Sequence, residues 1–474
     1  MRTIGRQSLF DKPTNWYSND FVHELISAHS ESIDQYVQQI LKIDSRVVGF
    51  TVTGLNRIFS EEVARRIKQK DKGKIVLFGG PHCFRLEINK VLLHVNPDLD
   101  AICHHEGEKA LPNLLDLIKK DGRLGYCPGI AFRNENNEIV DCPDIELTED
   151  LNSLPFADYS DFSLDDYHAN GEPDRRSIPI STSRGCVNKC AFCSESISWA
   201  KYRFRSADNI FNEIAFQSTR YPDIKSFFFN DSLINGNLGS LEALCDLLIS
   251  NKINIRWGGQ AIIREGMNRE LLLKMKKAGC VHITYGVESL SPKILKMIGK
   301  RFDPELAQRV IRDTAQADIK NSVTIIVGLP TETDEDVLMT ADFLKRNKDF
   351  ISNILFHLFM VARGTFIYNH RDDFGIELED DYNSVRWHSK KEINTLEKRL
   401  QVLEFYNKYI GESKSFYSPE DYYLFIADKY FEKKDYAGAL KNYLKAQEIN
   451  KDSFKTELIK EKITLTTEAS LGKH

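Results

Sequence analysis

The chain has 474 residues, more than one hydrophobic core usually organises, so its length predicts two or three domains. The composition, 42% apolar and 28% charged with a net charge of −5, is typical of a globular protein and predicts no basic patch for nucleic acid. No apolar stretch approaches the roughly 20 residues of a membrane span, and no signal-peptide core follows the first residues. We therefore expect a cytoplasmic protein without nucleic-acid or membrane partners. In that compartment, its nine cysteines favour metal binding or catalysis over disulfides.

Residues 1–144 alternate strand and helix patterns. Buried strands are predicted at Val47–Thr53, Lys74–Gly80 and Ala101–His104. Helical patterns follow the first strand, at Ser60–Lys70, and the third, from Glu106, which is the order of a parallel sheet in a Rossmann-like α/β domain. Ligands of such sheets usually bind beyond the carboxyl ends of the strands.

A second α/β region is predicted at 178–385, after an aspartate-rich segment at 145–177 that lacks periodicity and is typical of a linker. Its strands are expected at 178–183, 225–231, 254–261, 282–288, 322–328 and 352–361. Six successive βα units predict a partial (βα)6 barrel. By analogy with the complete barrel, its site should lie at the carboxyl ends of the strands.

The C-terminal extension, residues 386–474, shows helical patterns only. Small and aromatic residues at tetratricopeptide (TPR) spacing predict one TPR-like helical hairpin; they are Ala427, Tyr430, Ala439, Tyr443 and Ala446. One repeat cannot form a solenoid, because each repeat needs neighbours to bury its apolar face. We expect a helical cap on the barrel, with a docking surface for a protein partner as the alternative.

Three cysteines lie together in S-T-S-R-G-C-V-N-K-C-A-F-C-S, directly after the first barrel strand. They are Cys186, Cys190 and Cys193, spaced C-x3-C-x2-C. A structural zinc site normally takes four ligands, and the next cysteine, Cys245, lies in a distant predicted helix. A cubane cluster has four irons, so three thiolates leave one iron free to bind a small molecule.

The spacing, with Phe192 before the last cysteine, resembles the signature of the radical S-adenosylmethionine (SAM) superfamily. The resemblance implies a 4Fe-4S cluster on the three cysteines, whose open iron chelates the amino and carboxylate groups of S-adenosylmethionine. Reduction then yields methionine and a 5′-deoxyadenosyl radical. It also places Phe192 beside the adenine, and Asn230 and Asp231, which end the second strand, near the amino group.

Two further segments resemble superfamily motifs at strand ends. Gly286-Val287-Glu288-Ser289 matches G-x-E-S, which implies that Glu288 contacts the ribose hydroxyls. The turn that begins at Gly328, G-L-P-T-E-T, matches a segment that flanks the adenine. Helix capping is the alternative for both acidic residues: Glu288 near Ser291, and Asp231 near Asn237. Arg264 has two interpretations, a partner of the SAM carboxylate or a solvated surface residue.

The N-terminal region resembles the cobalamin-binding domain that precedes the barrel in one large subgroup. The matching pieces are V-V-G-F-T-V-T, I-V-L-F-G-G-P-H and H-H-E-G-E-K-A-L. The resemblance implies that Thr51 and Thr53 line the nucleotide-tail pocket, that Gly79 and Gly80 let the tail approach the backbone, and that Gly107 starts a helix beneath it. The alternative is a doubly wound fold that binds nothing.

Two features depart from that domain. The first strand, helix and second strand of the cobalamin-binding domain have no clear counterpart in residues 1–45. We therefore expect that either the start codon is placed too late or this domain is shortened. The string Asp166–Gly171 matches the cobalt-ligating D-x-H-x-x-G motif through His168, but it lies in the predicted linker, and we expect it to be a coincidence. His82 is better placed, at the end of a strand.

We expect a cobalamin-dependent radical enzyme, most simply a methyltransferase acting on an unactivated carbon or a phosphinate. The alternative is a cyclase, epimerase or rearrangement enzyme without methyl transfer, and a remote one is a non-catalytic metal-binding adaptor. A methylthiotransferase is less expected, because that relative brings three further cluster cysteines. The expected partners are a small-molecule or peptide substrate and an electron donor such as flavodoxin or ferredoxin.

Overall fold

The computed structural model describes residues 19–84, 86–164, 176–378, 387–390, 394–410, 419–432, 434–450 and 453–471. The chain divides into two compact units, Met1–Glu149 and Asp150–His474. The string Asp166–Gly171, with His168, lies outside the described residues. Across the described ranges, no helix has both the length and the apolarity needed to cross a bilayer.

The first unit contains a five-stranded sheet in the order β1-β2-β3-β4-β5. Its strands are β1 (Val47–Thr51), β2 (Ile75–Gly79), β3 (Ala101–Cys103), β4 (Ile130–Arg133) and β5 (Ile139–Cys142). The three predicted strands are present and parallel, whereas β4 and β5 form an antiparallel hairpin that was not predicted. In the described part of the chain β1 pairs with β2 alone, so it lies at the edge of the sheet.

Helices cover both faces of this sheet. They are α1 (Asn19–Ala28), α2 (Ser30–Lys42), α3 (Arg57–Lys70), α4 (Leu86–Val95) and α5 (Gly107–Asp121). Val76 and Phe78 of β2 face one core, which includes Val63 and Ile67 of α3. The alternate side chains of β2 face a second core, which includes Leu114 of α5. Burial on both faces explains why β2 is a continuous apolar run.

The second unit contains a six-stranded, fully parallel sheet in the order β13-β12-β11-β10-β9-β6. Its strands are β6 (Ser177–Ile180), β9 (Ser226–Phe229), β10 (Arg256–Ala261), β11 (Cys280–Glu288), β12 (Lys320–Val327) and β13 (Asn353–Leu358). The six predicted strands are confirmed. Because β6 and β13 are both edge strands, the sheet is open, as expected of a partial barrel.

Shorter strands and the helices complete this unit. The strands are β7 (Ser183–Arg184), β8 (Arg203–Phe204), β14 (Ile376–Leu378) and β15 (Trp387–Ser389). The helices are α6 (Glu195–Ser198), α7 (Ala207–Arg220), α8 (Leu238–Ser250), α9 (Arg269–Lys277), α10 (Pro292–Met297), α11 (Pro304–Gln316), α12 (Asp334–Asn347), α13 (Phe366–Asn369), α14 (Leu396–Ile410), α15 (Pro419–Glu432), α16 (Tyr436–Ile449) and α17 (Ser453–Ser470).

Side-chain caps fix where the six helices α7 to α12 begin. The capping residues are Ser206, Asn237, Asn268, Ser291, Asp303 and Thr333, and the side chain of each accepts a hydrogen bond from a backbone N–H of the first turn. Such caps satisfy donors that have no partner inside the helix. Each helix therefore starts at a defined residue, which limits the length of the loop before it.

Residues 150–164 of the predicted linker belong to the second unit. Leu151 is buried, and Ala157 O accepts a hydrogen bond from Gln217 of α7 at 2.7 Å. The Tyr159 hydroxyl donates to Pro179 O in β6 at 2.8 Å. These contacts attach the segment to the first strand of the barrel.

The C-terminal helices pack in sequence order. Helices α15 and α16 lie against each other, and α17 packs on α16. Ala427, Ala439 and Tyr443 form a small buried cluster there, whereas Tyr430 is 39% exposed. The assignment of this pair as a TPR-like hairpin stays a prediction.

Candidate functional site

The three predicted cluster cysteines lie on one loop between β7 and α6. Cys186, Cys190 and Cys193 are each partly exposed, whereas the other six cysteines are buried. The loop folds back on itself, since Cys193 N donates to Cys190 O at 3.1 Å and Asn188 N donates to Cys186 Sγ at 3.4 Å. The three cysteines that the C-x3-C-x2-C spacing predicts as cluster ligands are therefore the ones that solvent can reach.

Neighbouring segments hold this loop in place. Ala191 N donates to Ile298 O after α10, and Ile367 N of α13 donates to Ala191 O, each at 3.0 Å. Gly185, in the S-R-G sequence, has φ +83, and a Cβ there would lie 2.8 Å from Lys201 O. Glycine is therefore required directly before the first cysteine.

Three thiols on one loop fit a four-iron cluster that keeps one iron open, as the spacing predicts. Within the described residues, no three histidine, cysteine, aspartate or glutamate side chains are arranged to hold one metal ion. Burial raises the pKa of all three thiols, to about 12 for Cys193. Cluster binding should therefore release protons from the loop.

A lysine that was not predicted connects the cysteine loop to the end of β11. The Lys300 ammonium lies 5.9 Å from the centre of the half-buried Phe192 ring. It donates hydrogen bonds to Gly286 O at 2.7 Å and to Glu288 Oε1 at 3.3 Å. Burial disfavours the charge of Lys300, but the neighbouring Glu288 carboxylate outweighs this effect, so the pKa of Lys300 is raised. Phe192 and Glu288 are thus both in contact with one cation.

Glu288 has a conformation that fits a site residue. Its φ is 69°, which is unusual for a residue other than glycine, and the β11–β12 pairing shifts register between Gly286 and Glu288. Its second carboxylate oxygen accepts from Thr324 Oγ1 at 3.1 Å. The capping alternative is wrong, because the Ser291 side chain caps α10 by accepting from Ile294 N.

Asp231 supports the chain that leads into the cysteine loop. Its carboxylate accepts four hydrogen bonds, two from Thr182 and two from Ser183. Burial raises the pKa of Asp231 to about 6, although these bonds lower it. The capping alternative is wrong here too, because Asn237 caps α8. Asn230 is exposed at the end of β9. Contact of either residue with a cofactor stays a prediction.

Arg264 is bound to the loop after β9. Its guanidinium donates to Asn235 O at 2.8 Å and to Gly236 O at 3.1 Å. Asn235 in turn exchanges hydrogen bonds with the backbone of Ile262, through its side-chain amide. Arg264 therefore holds two strand-end loops together, a role that neither sequence interpretation included.

The turn after β12 begins at Gly328, which has φ +82 and donates its N–H to Glu332 Oε2 at 2.8 Å. Leu329 and Phe192 belong to the same apolar cluster. The structure therefore brings the turn and Phe192, the two elements predicted to flank the adenine, into one packed group.

In the first unit, Thr51 and Gly79 end β1 and β2, and Thr53 and Gly80 lie just beyond these carboxyl ends. Asn56 connects the two threonines, since it donates to Thr51 O at 2.9 Å and accepts from Thr53 N at 2.7 Å. Gly80 has φ +90, and a Cβ there would lie 2.9 Å from Thr51 Cγ2. The fold itself therefore requires glycine at position 80.

Gly79 and Gly107 differ from Gly80, because the fold leaves room for a side chain at both. A Cβ at Gly79 would lie 3.7 Å from its nearest neighbour and one at Gly107 would lie 3.9 Å away, both ordinary contacts with Cys103. A ligand that approaches the backbone would explain glycine at such positions. This edge of the sheet therefore fits the predicted cobalamin tail.

A buried histidine at the end of β3 was missed. His104 Nδ1 lies 2.5 Å from Asn89 Nδ2, and Nε2 lies 3.1 Å from Asp141 Oδ1, which also pairs with Lys90. Burial lowers the pKa of His104. Both ring nitrogens are occupied, so His104 holds α4 and β5 together.

His82 is half-buried after β2, and its backbone N–H donates to Val52 O at 2.9 Å.

A basic groove lies on the outer side of the cysteine loop. Its volume is about 540 Å³, and its charged lining residues are Lys189, Lys296, Lys300, Arg301 and Asp303. Gly299 forms part of its wall, and a Cβ there would lie 4.0 Å from Cys190 Cα. The groove therefore runs beside the backbone of a predicted cluster ligand.

Comparison with known proteins decides the family of this region. Residues 180–344 match the Radical SAM superfamily. The chain contains a radical SAM domain. The resemblance predicted from the cysteine spacing is thereby confirmed, and the matched residues run from the end of β6 into α12.

Two curated relatives and one solved structure extend the comparison. An uncharacterized methyltransferase of Pyrococcus horikoshii is 28% identical over 65% of this chain and 65% of its own length. The anaerobic magnesium-protoporphyrin IX monomethyl ester cyclase of Rubrivivax gelatinosus is 26% identical over 66% of this chain and 56% of its own length. The matches thus span less than two thirds of either relative.

The solved structure is the radical SAM methyltransferase TsrM of Kitasatospora setae, with cobalamin and a [4Fe-4S] cluster bound. It aligns with a TM-score of 0.60 and 17% identity over 78% of this chain and 75% of TsrM. At that identity the likeness shows a shared fold. The aligned part of this chain therefore shares the fold of that methyltransferase.

Proposed function

We propose that the protein is a radical SAM enzyme that holds a 4Fe-4S cluster on Cys186, Cys190 and Cys193. S-adenosylmethionine would bind beyond the strand ends between Glu288 and the Gly328 turn. One observation carries the proposal: three solvent-accessible thiols and the Phe192–Lys300–Glu288 group converge at the open sheet. The Radical SAM match over residues 180–344 supports it independently.

The chain's own residues would bind and orient the reactants. When bound and reduced, the cluster supplies the electron that cleaves S-adenosylmethionine to methionine and a 5′-deoxyadenosyl radical. Phe192 gives the adenine an apolar wall, and Lys300 holds the Glu288 carboxylate towards the ribose. Asp231 fixes the backbone that enters the cysteine loop, so the thiols keep their spacing. This division leaves the difficult chemistry to the cofactors and positioning to the protein.

We propose further that the enzyme is a cobalamin-dependent methyltransferase acting on an unactivated carbon of a small-molecule or peptide substrate. The first unit supports this, since its fold leaves room for a side chain at Gly79, which ends β2, and at Gly107, which follows β3. The methyltransferase of Pyrococcus and the cobalamin-containing TsrM agree with it. Methyl transfer would use one S-adenosylmethionine as methyl source and another as radical source.

A radical enzyme without methyl transfer is the second candidate. The observation that favours it is the cyclase of Rubrivivax, which matches as much of this chain as the methyltransferase does. In that case the same cysteine loop would generate the radical. The two candidates differ in whether the substrate gains a methyl group.

The reductant would be an acidic redox protein such as flavodoxin or ferredoxin. Lys189, Lys296 and Arg301 give the groove beside the cysteine loop a positive charge, and the groove backs onto Cys190. Opposite charges would speed the encounter, and this proximity would keep the electron path short.

The deciding experiment measures metals and products separately. Protein produced with hydroxocobalamin and reconstituted anaerobically should hold about four irons and one corrinoid per chain after desalting. With dithionite it should form 5′-deoxyadenosine. Alanine at all three cysteines should abolish iron and deoxyadenosine while leaving the corrinoid. Iron-free protein with stoichiometric zinc would refute the radical enzyme, and iron-loaded protein without corrinoid would favour the second candidate.

A further inference from the structure

A buried arginine of the C-terminal extension occupies the space that Gly328 leaves empty. A Cβ at Gly328 would lie 2.1 Å from Arg399 Cδ and 2.2 Å from Arg399 Cγ. The arginine stem therefore rests directly on the backbone of the turn after β12. Any side chain at position 328 would displace it, so the contact explains this glycine together with its positive φ.

The guanidinium of Arg399 is fixed on several sides. Arg399 is 1% exposed, and its two terminal nitrogens donate to Trp387 O at 2.8 Å and to Asn394 Oδ1 at 3.0 Å. It lies 4.2 Å from the centre of the Trp387 ring. Since buried charges are costly unless they are held in such contacts, the position of Arg399 is well determined.

The same assembly binds the turn itself. Asn394 Nδ2 donates to Gly328 O and to Leu329 O, each at 3.2 Å. Trp387 belongs to the apolar cluster that also contains Leu329 and partly buried Phe192. Thr331, in the middle of the turn, has φ 65, which the free backbone disfavours. The turn therefore depends on outside contacts to keep its shape.

We propose that Arg399 is a positioning residue, through which helix α14 sets the conformation of the Gly328–Thr333 turn and thereby the affinity for the adenosyl group. The inference rests on the proposed function, because it takes this turn as a wall of the S-adenosylmethionine site. It assigns part of that site to Trp387, Asn394 and Arg399, beyond the matched superfamily region of 180–344.

Two measurements test this assignment on Arg399→Met and Arg399→Lys. Binding of S-adenosylhomocysteine to the iron-loaded enzyme should weaken about tenfold in the methionine variant, because the turn loses the Arg399 contacts that hold its shape. Lysine keeps the stem and the charge and should restore part of the affinity. In the metal-free protein, backbone hydrogen exchange across residues 328–333 should become faster in the methionine variant.

Leu403→Ala is the matched control, since Leu403 is buried on the same helix but packs in the large core between sheet and helices. It should lower the melting temperature while leaving both readouts near wild type. An Arg399→Met protein with unchanged binding and unchanged exchange at 328–333 would overturn the assignment. If wild type itself does not bind S-adenosylhomocysteine, the proposed function fails, and the exchange measurement still decides whether Arg399 holds the turn.

Discussion

At the scale of single residues, the Glu288–Lys300 pair is the least expected feature of the site. The two side chains are 12% and 5% exposed, and their charged atoms lie 3.3 Å apart. Removing one member of a buried pair leaves an uncompensated charge, which typically costs about 3 to 5 kcal/mol. The effect of a Glu288 variant on cofactor binding must therefore be separated from its effect on folding.

A double substitution makes that separation. Glu288→Gln should lower the melting temperature and weaken S-adenosylhomocysteine binding roughly tenfold, through loss of the charged ribose contact. Adding Lys300→Met removes the unpaired cation, so the melting temperature should recover while the affinity does not. Iron content is measured in each variant as a control for the cysteine loop. Recovery of both quantities would mean that Glu288 acts only as the partner of Lys300.

At the scale of elements, the turn before α12 carries a carboxyl group whose titration should affect stability. Burial raises the pKa of Glu332 from its ordinary 4.5 to about 8, against the lowering effect of the hydrogen bond from Gly328 N. Between these values the folded protein keeps a proton that the unfolded chain releases. This contribution to stability therefore declines as the pH rises from 4.5 towards 8.

Glu332→Gln removes the titration but keeps an oxygen that can accept from Gly328 N. The melting temperature of wild type should fall more between about pH 6 and pH 8 than that of the variant, and the difference between the two curves isolates Glu332. Glu335→Gln, at an exposed position of α12, should follow wild type. Identical slopes for wild type and Glu332→Gln would show that this carboxyl does not retain its proton.

The elements themselves were largely predictable, because their signals are local. The six barrel strands and the cysteine loop follow from apolar runs and from spacing within a few residues. The β4–β5 hairpin was missed although its turn, at Asn134–Asn137, is rich in asparagine, and Asn137 has the positive φ that asparagine tolerates. Lys300 and Arg399 could not be predicted, since their roles depend on contacts between segments distant in the chain.

At the scale of the whole molecule, the proposed cluster would need an external electron donor. Among the described residues, no salt bridge involves Lys189, Lys296 or Arg301 of the groove. Their charges are therefore available to a docking protein. Electrostatic attraction of this kind acts mainly on the association rate and weakens as salt screens it. The groove thus predicts a salt-dependent reduction step.

Charge reversal in the groove tests this prediction. The measured quantity is the rate of 5′-deoxyadenosine formation with flavodoxin as reductant, divided by the rate with dithionite. At low salt this ratio should fall about tenfold in the double variant Lys296→Glu/Arg301→Glu, because only the protein donor is steered by surface charge. The difference from wild type should shrink as the Debye length falls to roughly 3 Å near 1 M salt. Lys277→Glu, an exposed lysine on α9 outside the groove, changes one charge and should leave the ratio near wild type. An equal ratio in wild type and both variants at low salt would mean that the electron donor docks on another face. A lowered ratio that persists at high salt would indicate a damaged cysteine loop instead of weakened docking.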